Sequence, residues 1–349
     1  MSDYRIGCFL VVACALLFAG CGEGSSSAPE RAASERPFSV KTVRAFSLGG
    51  QSAEAARTGI NGDISDEVFE GQIAVLGLVP DTATPKFPIV MLPGFALGAT
   101  IYIETPDGRE GWAMNAVRRG HPVYLVEPAQ SARAGFNPDP YTAAQLGEAS
   151  ESPLLFTWGR QHVWSRWGLG PEYPKPFADS RFPVEHYDNL IRAYTPINVG
   201  SIAGGSMITY QLEANVVGLT ELLEQTGPAV LLVHSASGTT GFEVARRASG
   251  NVRAVVNVEP VGCPTEIIDS LNGIAVLSMF GDHMEVRPQM PIRRDQCQET
   301  VDYLSANGTP ATMFNLPAMG IDGNSHLPMS EDNSAELMTM ILDWLDESL

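Results

Sequence analysis

Ser235 stands between an apolar run, Ala229–His234, and the small residues Ala236-Ser237-Gly238, which open a helical pattern. A strand that turns sharply into a helix at a serine lifts the hydroxyl above the sheet edge, where it can attack a carbonyl carbon. Such a hydroxyl is a weak nucleophile until a base takes its proton, and the base needs an acid to hold its tautomer. Six histidines are available. His121 begins a strand pattern, and His162 and His186 fall in a long irregular stretch. His234 is the serine's chain neighbour and points elsewhere, while His283 follows a strand end. His326, in Gly323-Asn324-Ser325-His326, lies between the last strand and the last helix, where the base arrives in a Ser…acid…His chain order.

Each choice has a rival. Backbone segments crowd together at such a turn, so the residues two before and two after the nucleophile are expected to be small. For Ser235 these are Val233, which breaks the rule, and Ser237, which obeys it. Taking Ser237 as nucleophile satisfies the size rule better but puts the serine into the helix, so Ser235 is preferred. A blander reading has both serines only capping the helix. For the acid, Glu259 closes one strand and Asp282 and Glu285 follow the next; spacing does not choose between Glu259 and Asp282. An oxyanion needs two backbone donors. Ala236 N–H is one, and Phe95 N–H, in Leu92-Pro93-Gly94-Phe95 after an earlier strand, is the other. Gly204-Gly205-Ser206 has no strand before it and is set aside.

The elements that must position these residues alternate. Strands are expected at Gly71–Val79, Phe87–Leu92, Pro122–Val126, Ala229–His234, Arg253–Val258, Ile274–Phe280 and Thr312–Leu316. Helices are expected at Gly111–Arg119, Gln211–Gln225, Gly238–Ala248, Arg293–Ala306 and Ala335–Leu345. Continuous apolar runs suit parallel strands covered on both faces, and the alternation implies an α/β fold with a mostly parallel, doubly wound sheet. The rhythm breaks over about 129–210, which holds three of the five tryptophans and is expected to be an inserted cap segment.

Charge and cysteines narrow the setting. A net charge of −18 in a 349-residue chain excludes a nucleic-acid partner, which would need a basic surface. The 44% hydrophobic content suffices for a large core. No Cys/His grouping has metal-ligand spacing, so neither a metal nor a cofactor is expected. Residues 6–20 are apolar, follow Arg5, and are too short to span a bilayer, which suits a signal peptide over 1–20. The stretch Leu17-Phe18-Ala19-Gly20-Cys21 resembles a bacterial lipobox, which would leave Cys21 lipidated. Residues 21–37 then form a flexible tether and 38–349 the catalytic domain. Gly22 after Cys21 directs the expectation to the outer membrane or periplasm, with plain secretion as the alternative. In that oxidising setting Cys263 and Cys297 are expected to form a disulfide.

Together these residues resemble the α/β-hydrolase superfamily, and within it the secreted bacterial esterases of the Alcaligenes type. The resemblance rests on Thr105-Pro-Asp-Gly-Arg-Glu-Gly-Trp112, His234-Ser-Ala-Ser-Gly238, Val258-Glu-Pro260, Gly281-Asp-His283 and Gly323-Asn-Ser-His326. It spans the chain from about residue 70 to its end. It implies a carboxylesterase with a Ser235–His326–Glu259 triad, since in that group the acid is a glutamate after the strand that follows the nucleophile. Asp282 remains the alternative acid. Two departures stand out: Val233 where glycine is usual, and Pro93-Gly94-Phe95-Ala96 where the family strand tends to end His-Gly, sometimes with a cysteine pair. The expected partner is a small or polymeric ester. A lactonase, polyesterase or acyltransferase would use the same serine, and a non-catalytic lipid-anchored binding protein of the same fold would account for Val233.

Overall fold

Successive side chains of a strand point to opposite faces, so an uninterrupted run such as Ala229–His234 requires cover on both. The computed structural model, which describes residues 37, 39–56, 65–200, 210–266, 268–287 and 289–349, provides it. In chain order the strands are β1 (Val40–Ala55), β2 (Asp66–Pro80), β3 (Ile89–Leu92), β4 (Val123–Glu127), β5 (Leu155–Phe156), β6 (Ile197–Asn198), β7 (Ala229–His234), β8 (Val252–Val258), β9 (Ala275–Phe280) and β10 (Ala311–Asn315). The helices are α1 (Trp112–Arg118), α2 (Asp139–Gln145), α3 (Arg160–Arg166), α4 (Tyr187–Arg192), α5 (Leu212–Thr226), α6 (Ser237–Arg247), α7 (Met290–Ala306) and α8 (Ser334–Ser348).

Eight strands form one sheet in the order β1-β2-β4-β3-β7-β8-β9-β10, antiparallel at β1/β2 and β2/β4 and parallel from β4 to β10. One face buries Val230 and Leu232 with Trp112 of α1 and Ile341 of α8. The other buries Leu231 and Val233 with Leu219 of α5 and Phe242 of α6. Strand β3 lies between β4 and β7, so the chain leaves it in one direction and returns on its other side. That reversal opens a crevice at the carboxyl ends of β3 and β7, where ligands of doubly wound sheets bind.

The expected elements are present with ends moved by a few residues; α7 begins at Met290, ahead of the expected Arg293. Strand β1 was not anticipated. Its mixed polar sequence is that of a partly exposed edge, and Gly49-Gly50 reads as a turn. Both glycines have positive φ (64° and 82°) yet stay in register with β2. Here a Cβ on Gly49 would stand 2.9 Å from the Gly218 backbone, so helix α5 crosses where only glycine fits. Residues 129–200 carry short helices and the two-residue pair β5/β6. The expected signal peptide, Cys21, and the tether apart from Pro37 lie outside the described residues, as does Gly204-Gly205-Ser206. Among the described residues no helix is long and apolar enough to cross a membrane. Cys263 and Cys297 form a disulfide that ties the loop after β8 to α7.

Val233 has a local explanation. A Cβ on Gly241 would lie 2.9 Å from Val233 Cγ1, and one on Gly238 only 2.7 Å from Asn257 Oδ1. The small residues needed under the turn stand on α6, one and two helical turns along, instead of two before the serine. Gly241→Ala is therefore expected to cost about 1–3 kcal/mol by overpacking. Urea unfolding of Gly241→Ala, Val233→Ala and the double variant checks this. The double variant should be more stable than the sum of the single losses allows; strict additivity would show that the two sites do not share one space.

Candidate active site

Ser235 follows β7 directly and has φ of 56°, a left-handed conformation that costs a residue with a side chain about 1–2 kcal/mol. The turn is held from three sides. Ser235 N–H donates to Val258 O at 3.0 Å, and Ser235 O accepts from Gly238 N and Val261 N, each at 3.1 Å. Gly94 lies so close that a Cβ there would stand 2.9 Å from Ser235 Cβ and 2.7 Å from His234 Nδ1. Ser237, the rival serine, is the first residue of α6; its Oγ donates to Pro93 O at 2.5 Å and makes no side-chain cap.

The structure brings three of the sequence candidates into one line. Ser235 Oγ is 3.0 Å from His326 Nε2, and His326 Nδ1 is 3.1 Å from Glu259 Oε2. Glu259 follows β8 with φ of 48° and is wholly buried. Its Oε1 accepts Gly281 N–H at 2.5 Å, and its Oε2 pairs with Arg287 Nη2. Asp282 is elsewhere. Its Oδ1 accepts His283 N–H at 2.7 Å and its Oδ2 accepts Gly323 N–H at 3.1 Å, so it holds the loop that carries His326 without touching the imidazole.

Arg287 is the charge that sequence reading missed. Its side chain has no exposed surface, and besides Glu259 it donates to Asp282 O at 2.9 Å. Burial alone pushes the Glu259 carboxyl up; the Arg287 charge and His326 outweigh this and hold it at about 2. His326 is shifted down, first by burial and then by the charges of Arg287 and Arg293, with Glu259 opposing. Arg287 Nη2 also lies 3.3 Å from His326 Nδ1, but a guanidinium can only donate. The tautomer with its proton on Nδ1 donates to Glu259 and leaves Nε2 to accept from Ser235.

Other side chains position His326. His234 is buried, kept neutral chiefly by that burial, and its Nε2 is 2.8 Å from His326 O. Glu331, fully buried, accepts from Ser325 N and Asn324 Nδ2, each at 2.5 Å. Within the Thr105–Trp112 stretch, Arg109 donates to Glu331 O and Asp332 O, and Trp112 Nε1 donates to Ser334 O at 2.8 Å. His234, Arg109 and Trp112 lay in stretches that carried the family resemblance, but Arg287 and Glu331 had no signal in the sequence, because a buried arginine or glutamate looks like a surface one until its partners are known.

Beside Ser235 lies a cavity of about 380 Å³. Phe95, Phe156, Trp158 and Trp167 supply an aromatic wall, and Trp158 Nε1 donates to Phe95 O at 2.6 Å. Among the described residues, neither Phe95 N–H nor Ala236 N–H donates to a protein group. Both residues line this cavity. Of the remaining histidines, His121 is buried against Phe87 O, His162 stacks on Trp158, His186 meets Glu185, and His283 stacks on Phe177. Asp179, Asp282 and His283 form a group near enough to share a cation.

A bacterial esterase solved at atomic resolution superposes with a TM-score of 0.83, at 31% identity over 90% of this chain and 98% of its own. The chain belongs to the α/β-hydrolase family of esterases. A fungal relative, phiG of Fungal sp. (strain ATCC 74256), named a probable secreted lipase, is 23% identical over 323 residues, 77% of this chain and 84% of its own. No protein-family model matches. Within the esterase fold the Ser235, Glu259 and His326 loops all leave the carboxyl edge of the sheet, at β7, β8 and after β10.

In this esterase the imidazole of His326 is expected to titrate below its ordinary 6.5, because burial and two guanidinium groups disfavour a further cation. Ring NMR across pH measures it. Arg287→Met removes one of those charges, so the His326 pKa should rise; it also strands Glu259, at a cost of about 3–5 kcal/mol. An unchanged urea midpoint would show that Glu259 does not depend on Arg287.

Proposed function

We propose that the protein is a serine carboxylesterase in which Ser235 is the nucleophile, His326 the base and Glu259 the acid. The observation that carries this reading is the unbroken Ser235–His326–Glu259 line, which ends at a hydroxyl beside an aromatic cavity. His326 Nε2 takes the hydroxyl proton as Ser235 Oγ attacks the ester carbonyl. The oxyanion then rests on the Phe95 and Ala236 N–H groups. Collapse breaks the bond to the leaving alkoxide, which receives the proton from the imidazolium. Water, deprotonated by the same base, attacks the acyl-enzyme, and its collapse releases the acid and restores Ser235. Glu259 holds the Nδ1–H tautomer and offsets the imidazolium charge.

We read residues 129–200 as the cap, since Phe156, Trp158 and Trp167 from this stretch line the cavity. Val233, the one feature favouring a non-catalytic relative, is accommodated by Gly241 and asks for no loss of function. Ser235→Ala should lower ester turnover by about a thousandfold or more while near-UV dichroism stays native. A serine-directed phosphonate should label Ser235, and Glu259→Gln should cost far more activity than Asp282→Asn. Labelling at Ser237, or the reverse order of the two acid variants, would overturn these roles.

We further place the mature protein outside the cytoplasm, lipidated at Cys21 and held at the outer membrane or in the periplasm. The Cys263–Cys297 bridge suits an oxidising compartment, and phiG is named as secreted. Mass spectrometry of the mature N-terminus should find acylated Cys21, lost in Cys21→Ser. A free, unacylated N-terminus on the wild-type protein would leave a plainly secreted esterase.

A further inference from the structure

The chain carries 40 acidic residues against 22 Lys and Arg, yet the described lining of the active-site cavity holds Arg166, Arg287 and Arg293 and no Asp or Glu. Arg287 is neutralised by Glu259. The other two have no such partner: among the described residues neither Arg166 nor Arg293 forms an ion pair. The Arg166 guanidinium lies 6.0 Å above the Trp158 ring. Arg293 donates to Gln289 Oε1 at 2.7 Å and contacts Met290 Sδ at 3.5 Å, both of them neutral.

These two cations feel one another. Burial, followed by the charges of Arg166 and Arg287, pushes Arg293 below its ordinary value. Arg293 also sits one turn into α7, whose first residue Met290 lines the cavity, so the positive end of a 17-residue helix adds to the same field. An acidic protein that leaves two adjacent guanidinium groups without carboxylates, beside an aromatic wall, holds a site whose electrostatic cost an incoming anion would relieve. Guanidinium forks match carboxylate geometry and stay charged at every working pH.

We infer that the esterase favours esters that carry a free carboxylate, which Arg166 and Arg293 hold while the apolar part of the substrate lies against Phe95, Phe156 and Trp158. This rests on the Ser235 esterase reading and adds the substrate class to it. Half-esters of dicarboxylic acids have that chemistry on the acyl side, and acyl-oxybenzoates have it on the leaving-group side.

The test compares kcat/KM for monomethyl adipate with methyl hexanoate, and for 4-acetoxybenzoate with its methyl ester, by pH-stat at pH 7.5. At least one anionic ester should exceed its neutral partner by about tenfold, the scale of a hydrogen bond to a charged group. The anionic-to-neutral ratio should fall by about the same factor in Arg293→Gln and Arg166→Gln, and recover in part in Arg293→Lys. Using the ratio within each variant removes any loss of folded or active protein. Turnover of all four esters with both ratios near or below one, or ratios unmoved by the variants, would overturn the anionic subsite and leave the esterase reading intact. No turnover of any of the four would overturn both.

Discussion

A carboxylate with no exposed surface must find its compensating charges inside the protein, and much of this site follows from how Glu259 does so. Loss of water would push its carboxyl toward the neutral form, which could no longer offset an imidazolium. Arg287, Gly281 N–H and His326 reverse that, and Glu259 stays ionised. The pair is costly to break and is poor evidence for stability. Its consequence is orientation: a fixed anion beneath His326 selects one tautomer and directs Nε2 at Ser235. Because Arg287 comes from the loop after β9 and Glu259 from the end of β8, the pair also fixes the spacing of two loops at the sheet edge.

Crowding is the second constraint, and it shows how a family pattern can change without losing its geometry. The turn at Ser235 needs free space beneath it, usually reserved by a glycine two residues earlier. Here Val233 fills the space with a branched side chain, and Gly241 on the facing helix yields it back, while Gly238 makes room for Asn257 and Pro260. The same crowding fixes Gly94, whose missing Cβ lets the β3 loop approach Ser235 closely. Ser237 then ties the two loops together through Pro93 O. The rival serine thus holds the loop after β3, which explains why a hydroxyl stands where a small residue would suffice.

The order of strands and helices could be read along the chain because parallel strands covered on both faces leave continuous apolar runs, as at β7, β8 and β9. Strand β1 escaped because an edge strand with one wet face carries no such run, and because Gly49-Gly50 imitates a turn. Ser235, Phe95, Ala236 and His326 were singled out from their places at element junctions, where backbone chemistry leaves a sequence trace. Spacing alone left Glu259 and Asp282 undecided, since each closes a strand; the resemblance to known esterases favoured Glu259, and their partners separate them in space. Arg287, His234 and Glu331 act through long-range contacts between loops, and nothing near them in the chain announces those partners.

The positioning of His326 shows why so many distant residues converge on one loop. A histidine delivered by a long connection after β10 must be held to within about 0.5 Å to meet a serine at the turn after β7. Asp282 holds the loop at Gly323, Glu331 holds it at Asn324 and Ser325, and His234 supports the backbone of His326 itself. Trp167 O accepts His326 N–H at 2.8 Å, so a residue of the aromatic wall contacts His326 through its main chain. The loop is therefore gripped both by the sheet edge and by the segment that covers it. Arg109, from the stretch after β3, grips the far end at Glu331 O and Asp332 O, which gives the Thr105–Trp112 motif a physical purpose although none of its side chains reaches Ser235. The wall and the Ser235–His326 pair share this backbone contact, so any displacement of the Trp167 main chain passes directly to the loop that sets the Ser235–His326 distance.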